Sequence, residues 1–178
     1  CCDADYESYN FCKAMYRVAK SVTENYRTNT LKSFNSEELL TLTRSFLKLD
    51  GRDDRDKSVR SAIICIAQRV YDITSELKGS YSSLVENVHV FFNAFSKWFK
   101  DDDENKYLER AINCMADVLN IQFELTNFKE FDIFKLSILC KSFRKFLNYP
   151  CVVKAGLSIA KFVGKCDINA LLGCNIEC

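Results

Sequence analysis

The chain has 178 residues, of which 48% are apolar and 13% aromatic, so it is long enough to bury a core of its own. Its charges nearly balance, with 25 Lys and Arg against 24 Asp and Glu. This balance argues against a general nucleic-acid binder, which needs a basic face. No run of about 18 apolar residues occurs, so the sequence predicts no membrane-spanning helix.

The glycine and proline content indicates the fold class. Five glycines and one proline are too few for a chain built of strands and tight turns. Many Lys, Glu, Leu and Phe residues favour helices nearly throughout. We therefore predict an all-α fold of about seven helices in stacked hairpin pairs. Residues 1–178 are expected to form a single helical domain, with a two-part division near residues 79–81 as the alternative.

The first two predicted helices carry clear sequence signals. The first runs from about Asp5 to Tyr26, and its apolar residues fall at spacings of three and four. These residues are Phe11, Met15, Val18 and Val22. The second helix begins after Asn35, which is an N-cap with Glu38 as its capping-box partner.

Five further helices follow in the predicted order. Gly79 is a good stop for the third helix. The acidic run 101–104 suits the positive end of the fifth helix, and Pro150 forces a break between the sixth and the seventh. The expected ranges are about 54–79, 82–100, from after 104 to 127, 129–147 and 152–164, with a short helical turn over 167–173.

The middle of the chain contains an internal repeat. Three similar heptapeptides, 43–49, 92–98 and 140–146, place Phe46, Phe95 and Phe143 at intervals of 49 and 48 residues. The helices after the first two also match, over 62–67 and 111–116, and residues 156–160 are a weaker third copy. The pattern predicts duplication of a two-helix unit of about 48 residues. Chance similarity between amphipathic helices is the alternative.

The ten cysteines are concentrated toward the two ends of the chain. An even number in this layout favours disulfides, which persist in oxidising compartments, so we predict a secreted, extracellular protein. The opening Cys1-Cys2 is consistent with a mature product or a trimmed chain. The candidate disulfide residues are Cys1, Cys2, Cys12, Cys65, Cys114, Cys140, Cys151, Cys166, Cys174 and Cys178.

Three groups of disulfides are considered. The cysteines of the tail are expected to pair mainly with those of the head, which would fasten residues 166–178 across the first helix. Cys140 and Cys151 could bridge the sixth and seventh helices, provided that the sixth helix ends early, because bridged Cα atoms lie within about 7 Å. Cys65 and Cys114 hold equivalent repeat positions and either pair or remain buried thiols.

The sequence offers no catalytic or cofactor site. The only histidine, His89, lies on the apolar side of a predicted helix, so a core position is favoured over a catalytic base. Cysteine spacing does not fit a zinc site, and we expect no cofactor and no metal. Aromatic residues crowd over 91–99, and their exposed remainder is a candidate partner surface formed by Phe91, Trp98 and Phe99.

Three families share short motifs with this chain. Cys2, Tyr9 and Cys12, and then Cys140, Tyr149 and Cys151, form two Cys-Tyr-Cys segments. In a helical chain of this size they resemble the bicycle proteins of gall-forming aphids. The spacing of Cys140 and Cys151 is similar to the middle cysteine pair of saposin-like domains. Residues 95–98, Phe-Ser-Lys-Trp, resemble the Ser-Lys-Trp-Pro repeats of bacterial type III effectors, although residue 99 is Phe.

These resemblances, together with the cysteine layout, lead to a hypothesis of function. Similarity to the bicycle family implies a secreted salivary effector that is delivered into plant tissue and has no known enzymatic activity. The partner would be an unknown host protein and not nucleic acid. Similarity to saposin-like domains implies the alternative, a helical protein that binds lipid or a membrane surface. An enzyme is the least supported class, because one His and scattered carboxylates form no acid–base pair.

Overall fold

The computed structural model describes residues 3–27, 30–49, 56–76, 82–100, 105–126 and 131–164. These residues form seven α-helices and one short 3₁₀ helix, Thr30–Ser33, and contain no strand. The α-helices are α1 Asp3–Arg27, α2 Ser36–Leu47, α3 Asp56–Glu76, α4 Ser82–Trp98, α5 Lys106–Thr126, α6 Ile133–Phe143 and α7 Pro150–Val163. The predicted all-α class is confirmed. The predicted turn over 167–173 and the acidic run 101–104 lie outside the described residues.

Local capping sets where several helices begin. The Asn35 side chain accepts hydrogen bonds from the backbone N–H groups of Glu37 and Glu38, both at 3.0 Å. The Glu38 carboxylate accepts the backbone N–H of Asn35 at 2.8 Å, so the predicted capping box is confirmed. Asp132 caps α6 through the N–H of Lys135. Pro150 occupies the first turn of α7, where its missing N–H has no cost.

The helices pack in two rows. Helices α2, α4 and α6 lie side by side in one row, and α1, α3, α5 and α7 lie side by side in the other. Contacts between consecutive helices, such as α2 with α3 and α4 with α5, join the rows. Packing of α2 on α4 and of α3 on α5 also connects the parts of the chain before and after residues 79–81.

Long-range hydrogen bonds show that helices within a row run in the same direction. Arg60, near the start of α3, donates to the side chain of Asn105, directly before α5, at 3.2 Å. The Lys97 ammonium, at the end of α4, donates to the carbonyl of Leu47 at the end of α2, at 3.0 Å. The starts of α3 and α5 therefore lie together, as do the ends of α2 and α4.

The sixth helix is shorter than the sequence predicts. We expected it to run to residue 147, but α6 ends at Phe143. The reason is tertiary: Phe146 is fully buried, and its ring packs edge-on against Phe99 with 5.1 Å between centroids. Phe143 meets Phe92 of α4 in the same way at 4.9 Å. The chain leaves the helix early so that both rings reach the α4 side of the core.

Candidate functional site

The predicted aromatic partner surface is not exposed. Phe91 is 1% exposed and Trp98 is 4% exposed, so the prediction is wrong for both. Phe99 is half-buried and contacts Phe146. Helix α4 is the central helix of its row, with α2 on one side and α6 on the other. It therefore buries aromatic residues on more than one face. A helix at the end of a row would leave the residues on one of these faces exposed.

None of the five described cysteines forms a disulfide: Cys12, Cys65, Cys114, Cys140 and Cys151 are free thiols. Cys65 and Cys114 do not pair: they hold equivalent repeat positions on the parallel helices α3 and α5, so their side chains point in the same direction and their Cα atoms are about one helix spacing apart. Axes of packed helices lie about 8–10 Å apart, whereas bridged Cα atoms need a separation below about 7 Å.

Cys140 and Cys151 also remain apart, although α6 ends early as that pairing required. Cys140 is exposed on the outer side of α6. Cys151 is half-buried at the start of α7, and a hydrogen bond with Asp117 of α5, followed by burial, raises the pKa of its thiol. The two thiols therefore have different surroundings.

The pairing of head and tail cysteines involves residues outside the described part, except for Cys12. Helices α1 and α7 are at opposite ends of their row, three helix spacings or roughly 24–30 Å apart. Cys166 follows the end of α7 by only two residues past Gly164, and an extended chain spans about 3.5 Å per residue. Cys166 is therefore too close to α7 to reach α1, and Cys12 is a free thiol, so pairing among the other head and tail cysteines stays a prediction.

A surface cleft of about 300 Å³ lies beside Cys65, between α1 and α3. Tyr26, Arg27, Ile64 and Tyr107 are among the residues that line it. Burial raises the pKa of the Cys65 thiol to about 11, against the opposing effect of the Arg27 charge. Cys65 is thus protonated at neutral pH, and a protonated thiol is a poor nucleophile.

The histidine prediction is confirmed, because His89 is buried at 8% exposure. Burial lowers the pKa of its imidazole, and the positive charge of Lys135 on α6 lowers it further. Asp132 acts in the opposite direction with a smaller effect. His89 is therefore a neutral side chain in the region where α4 packs on α6.

Two other kinds of site were sought in the described part of the chain. No three His, Cys, Asp or Glu side chains of the described residues come together as possible metal ligands. None of the described helices combines the length and the apolar character that a membrane span requires.

Among the described helices, none packs on the far side of α7, the last helix of the longer row. Helix α1 packs chiefly against α3, so its buried residues Met15, Ala19 and Val22 face α3. The same spacing recurs along the row. The corresponding residues are Ile63, Ala67 and Val70 in α3, Ile112, Ala116 and Leu119 in α5, and Gly156, Ala160 and Val163 in α7. Those of α3 and α5 are fully buried, whereas Gly156 is half-buried, Ala160 is exposed and Val163 is 40% exposed.

The shorter row ends in the same way. Phe92 of α4 is fully buried and contacts Phe143 of α6, so it faces the next helix of its row. Thr43, the matching residue of α2, is also fully buried. The matching residue of α6 is Cys140, which is exposed, as are its neighbours on that side, Ser137 and Arg144. We call Ser137, Cys140, Arg144, Gly156, Ala160 and Val163 the end face.

The last two helices also differ from the rest of the chain in charge. Residues 131–164, which we call the basic hairpin, contain six basic residues and one acidic residue, Asp132. The basic residues are Lys135, Lys141, Arg144, Lys145, Lys154 and Lys161. Because the whole chain has a net charge of only +1, the remainder is acidic on balance. Such a separation of charge makes the basic hairpin attractive to an acidic partner.

A further match in the sequence, between α1 and α3, helps to identify the end face. It lies outside the repeat described for the middle of the chain. Met15, Ala19 and Val22 precede Ile63, Ala67 and Val70 by 48 residues, the length of the predicted repeat. This register places α1 among the second helices of the pairs. The sequence pattern does not show whether the matching residues of α7 are buried, because that depends on what packs against α7.

Comparison of the chain with known protein families, with curated proteins and with solved structures gave no match.

Proposed function

We propose that this chain is a secreted, non-enzymatic interaction protein, an effector that acts on a host, and that its basic hairpin binds an acidic protein surface. The observation that carries the proposal is the excess of six basic residues over one acidic residue in residues 131–164. Five of the six basic side chains, all except Lys135, are exposed on α6, α7 and the turn after α6. Complementary charge speeds association and selects the partner.

A duplicated helix pair is the scaffold in this proposal. The Lys145 ammonium donates to the carbonyl of Ser96 at 2.6 Å, and Lys97 donates to the carbonyl of Leu47 in the same relation one unit earlier. Lys97 also donates to the carbonyl of Leu49. Phe46, Phe95 and Phe143 occupy matching positions and are all buried. Matching contacts at a period of about 48 residues support a repeat over chance similarity.

The state of the reactive side chains supports a non-enzymatic role. A nucleophilic cysteine needs a lowered thiol pKa or an adjacent base. Burial instead raises the pKa of the Cys65 thiol to about 11, and partial desolvation raises the pKa of Cys140 although that residue is exposed. His89 is buried in the core, so it does not present an imidazole to a bound substrate.

The test compares two variants with the same change of net charge. One replaces exposed bases of the basic hairpin, Lys141, Arg144, Lys154 and Lys161, by Gln. The control replaces exposed bases of α1 and α3, Lys13, Arg17, Lys20 and Lys57, by Gln. Proteins are captured from plant tissue extract on wild type and both variants and quantified by mass spectrometry. We expect partners retained by wild type and control to be lost from the hairpin variant, and equal retention by both variants would contradict the proposal.

A lipid surface is the second candidate, favoured by exposed apolar side chains within the basic hairpin. Phe134 is 68% exposed, Leu147 is 62% exposed and Leu157 is 59% exposed. Apolar residues among basic ones are typical of helices that bind at an anionic membrane interface. Flotation with vesicles that contain phosphatidylserine, against vesicles of phosphatidylcholine alone, tests this candidate. Binding that requires the anionic lipid and is lost in Phe134→Ser/Leu157→Ser would support it, and absence of flotation with both vesicles would remove it.

A further inference from the structure

We propose that residues 165–178, the segment that follows α7, pack against the end face and cover it. The inference does not depend on the proposed function, because it starts from the positions that would face a next helix, although the end face shares Arg144 with the basic hairpin. Its starting point is the contrast along each row: Ala67 and Ala116 are fully buried, whereas Ala160, the matching residue of α7, is exposed.

The shape of the end face suits a helix or an extended segment. Ser137, Cys140, Gly156 and Ala160 are all small, so we expect them to leave a shallow groove along the line where α6 meets α7. Gly156 lies above the Phe143 ring, which is 3.6 Å from the place that a Cβ atom would take. This ring is 3% exposed and lies beneath Gly156, and larger side chains from a covering segment would fill the groove.

The composition of residues 165–178 fits this groove. Four large apolar residues of the segment, Ile168, Leu171, Leu172 and Ile176, have the spacing of one helical face. The segment starts directly after Gly164, so its effective concentration at the end face is high. Burial of each large apolar side chain is favourable, which offsets the ordering of a short segment.

Charge favours this segment over a second copy of the chain. The segment has one basic residue, Lys165, and two acidic residues, Asp167 and Glu177. It therefore brings a net negative charge to a face that contains Arg144 and is surrounded by the other bases of the basic hairpin. Two copies joined through their end faces would bring two basic hairpins together, and like charges in contact repel.

The experiment uses two full-length variants of α7 that add the same charge. Ala160→Arg places a large cation on the end face, whereas Leu157→Arg places it at an exposed position of α7 outside that face. Neither residue is part of the buried core, so far-UV circular dichroism should be unchanged. Amide hydrogen exchange of residues 165–178 is followed by mass spectrometry in reducing buffer, so that any protection comes from packing.

We expect the amides of residues 165–178 to exchange about tenfold or more slowly in wild type and in Leu157→Arg than in Ala160→Arg. The Cys140 thiol should be alkylated by iodoacetamide faster in Ala160→Arg than in the other two proteins. Unprotected amides in wild type, or equal exchange in the two variants, would overturn the inference. A dimeric mass in light scattering that Ala160→Arg alone converts to a monomer would also overturn it, because a second copy would then cover the end face.

Discussion

Two lysines at matching positions join neighbouring helices of the shorter row. Lys97 and Lys145 each donate to carbonyl groups at the end of the preceding helix in the row. Carbonyl groups at a helix C-terminus have no partner within the helix and carry partial negative charge, so a cation stabilises them. The same side chain therefore caps one helix and fixes its neighbour.

We predict that Lys97→Met and Lys145→Met each lower the free energy of unfolding by about 1–2 kcal/mol. Methionine keeps the apolar stem and removes the donor. Lys48→Met is the matched control, because Lys48 has the same position in the heptapeptide of α2 and is exposed. Urea unfolding should show a change of at most about 0.5 kcal/mol for Lys48→Met. Equal effects at the three positions would contradict this account of the two lysines.

The histidine gives a prediction about pH. Burial, followed by the charge of Lys135, lowers the pKa of His89 below its unfolded value of 6.5. The unfolded chain therefore binds a proton before the folded chain does, and stability that is complete above pH 6.5 is lost as the pH falls. The slope has an upper limit of about 1.4 kcal/mol per pH unit.

Replacement of His89 by leucine, the residue at the matching position of α2, should remove this dependence. Urea unfolding of wild type and His89→Leu is measured at several pH values between 7.5 and 5. All other ionisable groups are common to both proteins, so the difference between the two curves reports on His89. Wild type should lose stability relative to His89→Leu as the pH falls, and parallel curves would show that His89 is not responsible.

At the level of the helices, burial is decided by position in a row. Phe95 lies on the central helix of its row and is fully buried, whereas Phe134 lies on the last helix and is 68% exposed. Both are phenylalanines on amphipathic helices, and the sequence gives them no different signal. The two side chains should therefore contribute differently to the free energy of unfolding, and only the packing predicts this difference.

We predict that Phe95→Ala lowers the free energy of unfolding by about 3–5 kcal/mol, because it leaves a cavity between α2, α4 and α6. Phe134→Ala, which removes the same atoms from an exposed site, should change it by at most about 0.5 kcal/mol. Chemical denaturation followed by circular dichroism measures both values. A large loss for Phe134→Ala would indicate that a partner or another part of the chain covers α6 in solution.

At the scale of the whole molecule, the arrangement of the rows restricts the disulfides. Cys65, Cys114 and Cys151 lie within or between packed helices and are free. The cysteines outside the described residues remain candidates for the predicted bonds. A bond that closes a loop of more than 100 residues would stabilise the chain by about 4–5 kcal/mol in the chain-entropy model.

We predict that denaturation without reductant exposes Cys65, Cys114 and Cys151 to alkylation and leaves the cysteines of the tail protected. Peptide mapping by mass spectrometry identifies the modified residues, and a reduced sample is the control in which all ten cysteines react. Alkylation of all ten without reductant would contradict the prediction of a secreted, disulfide-bonded protein. A bond between Cys12 and Cys166 would contradict the arrangement of α1 and α7 at opposite ends of a row.

The amino-acid sequence by itself determined the all-α class, the capping box at Asn35 and the approximate limits of most helices. These features depend on interactions within a few residues, which the sequence states directly. The buried state of His89 also followed from the helix face on which it lies. Only the tertiary structure decided that Phe91 and Trp98 are buried, that α6 ends at Phe143 and that Cys65 and Cys114 do not pair. Each of these depends on which helix packs beside another, and residues far apart in sequence determine that.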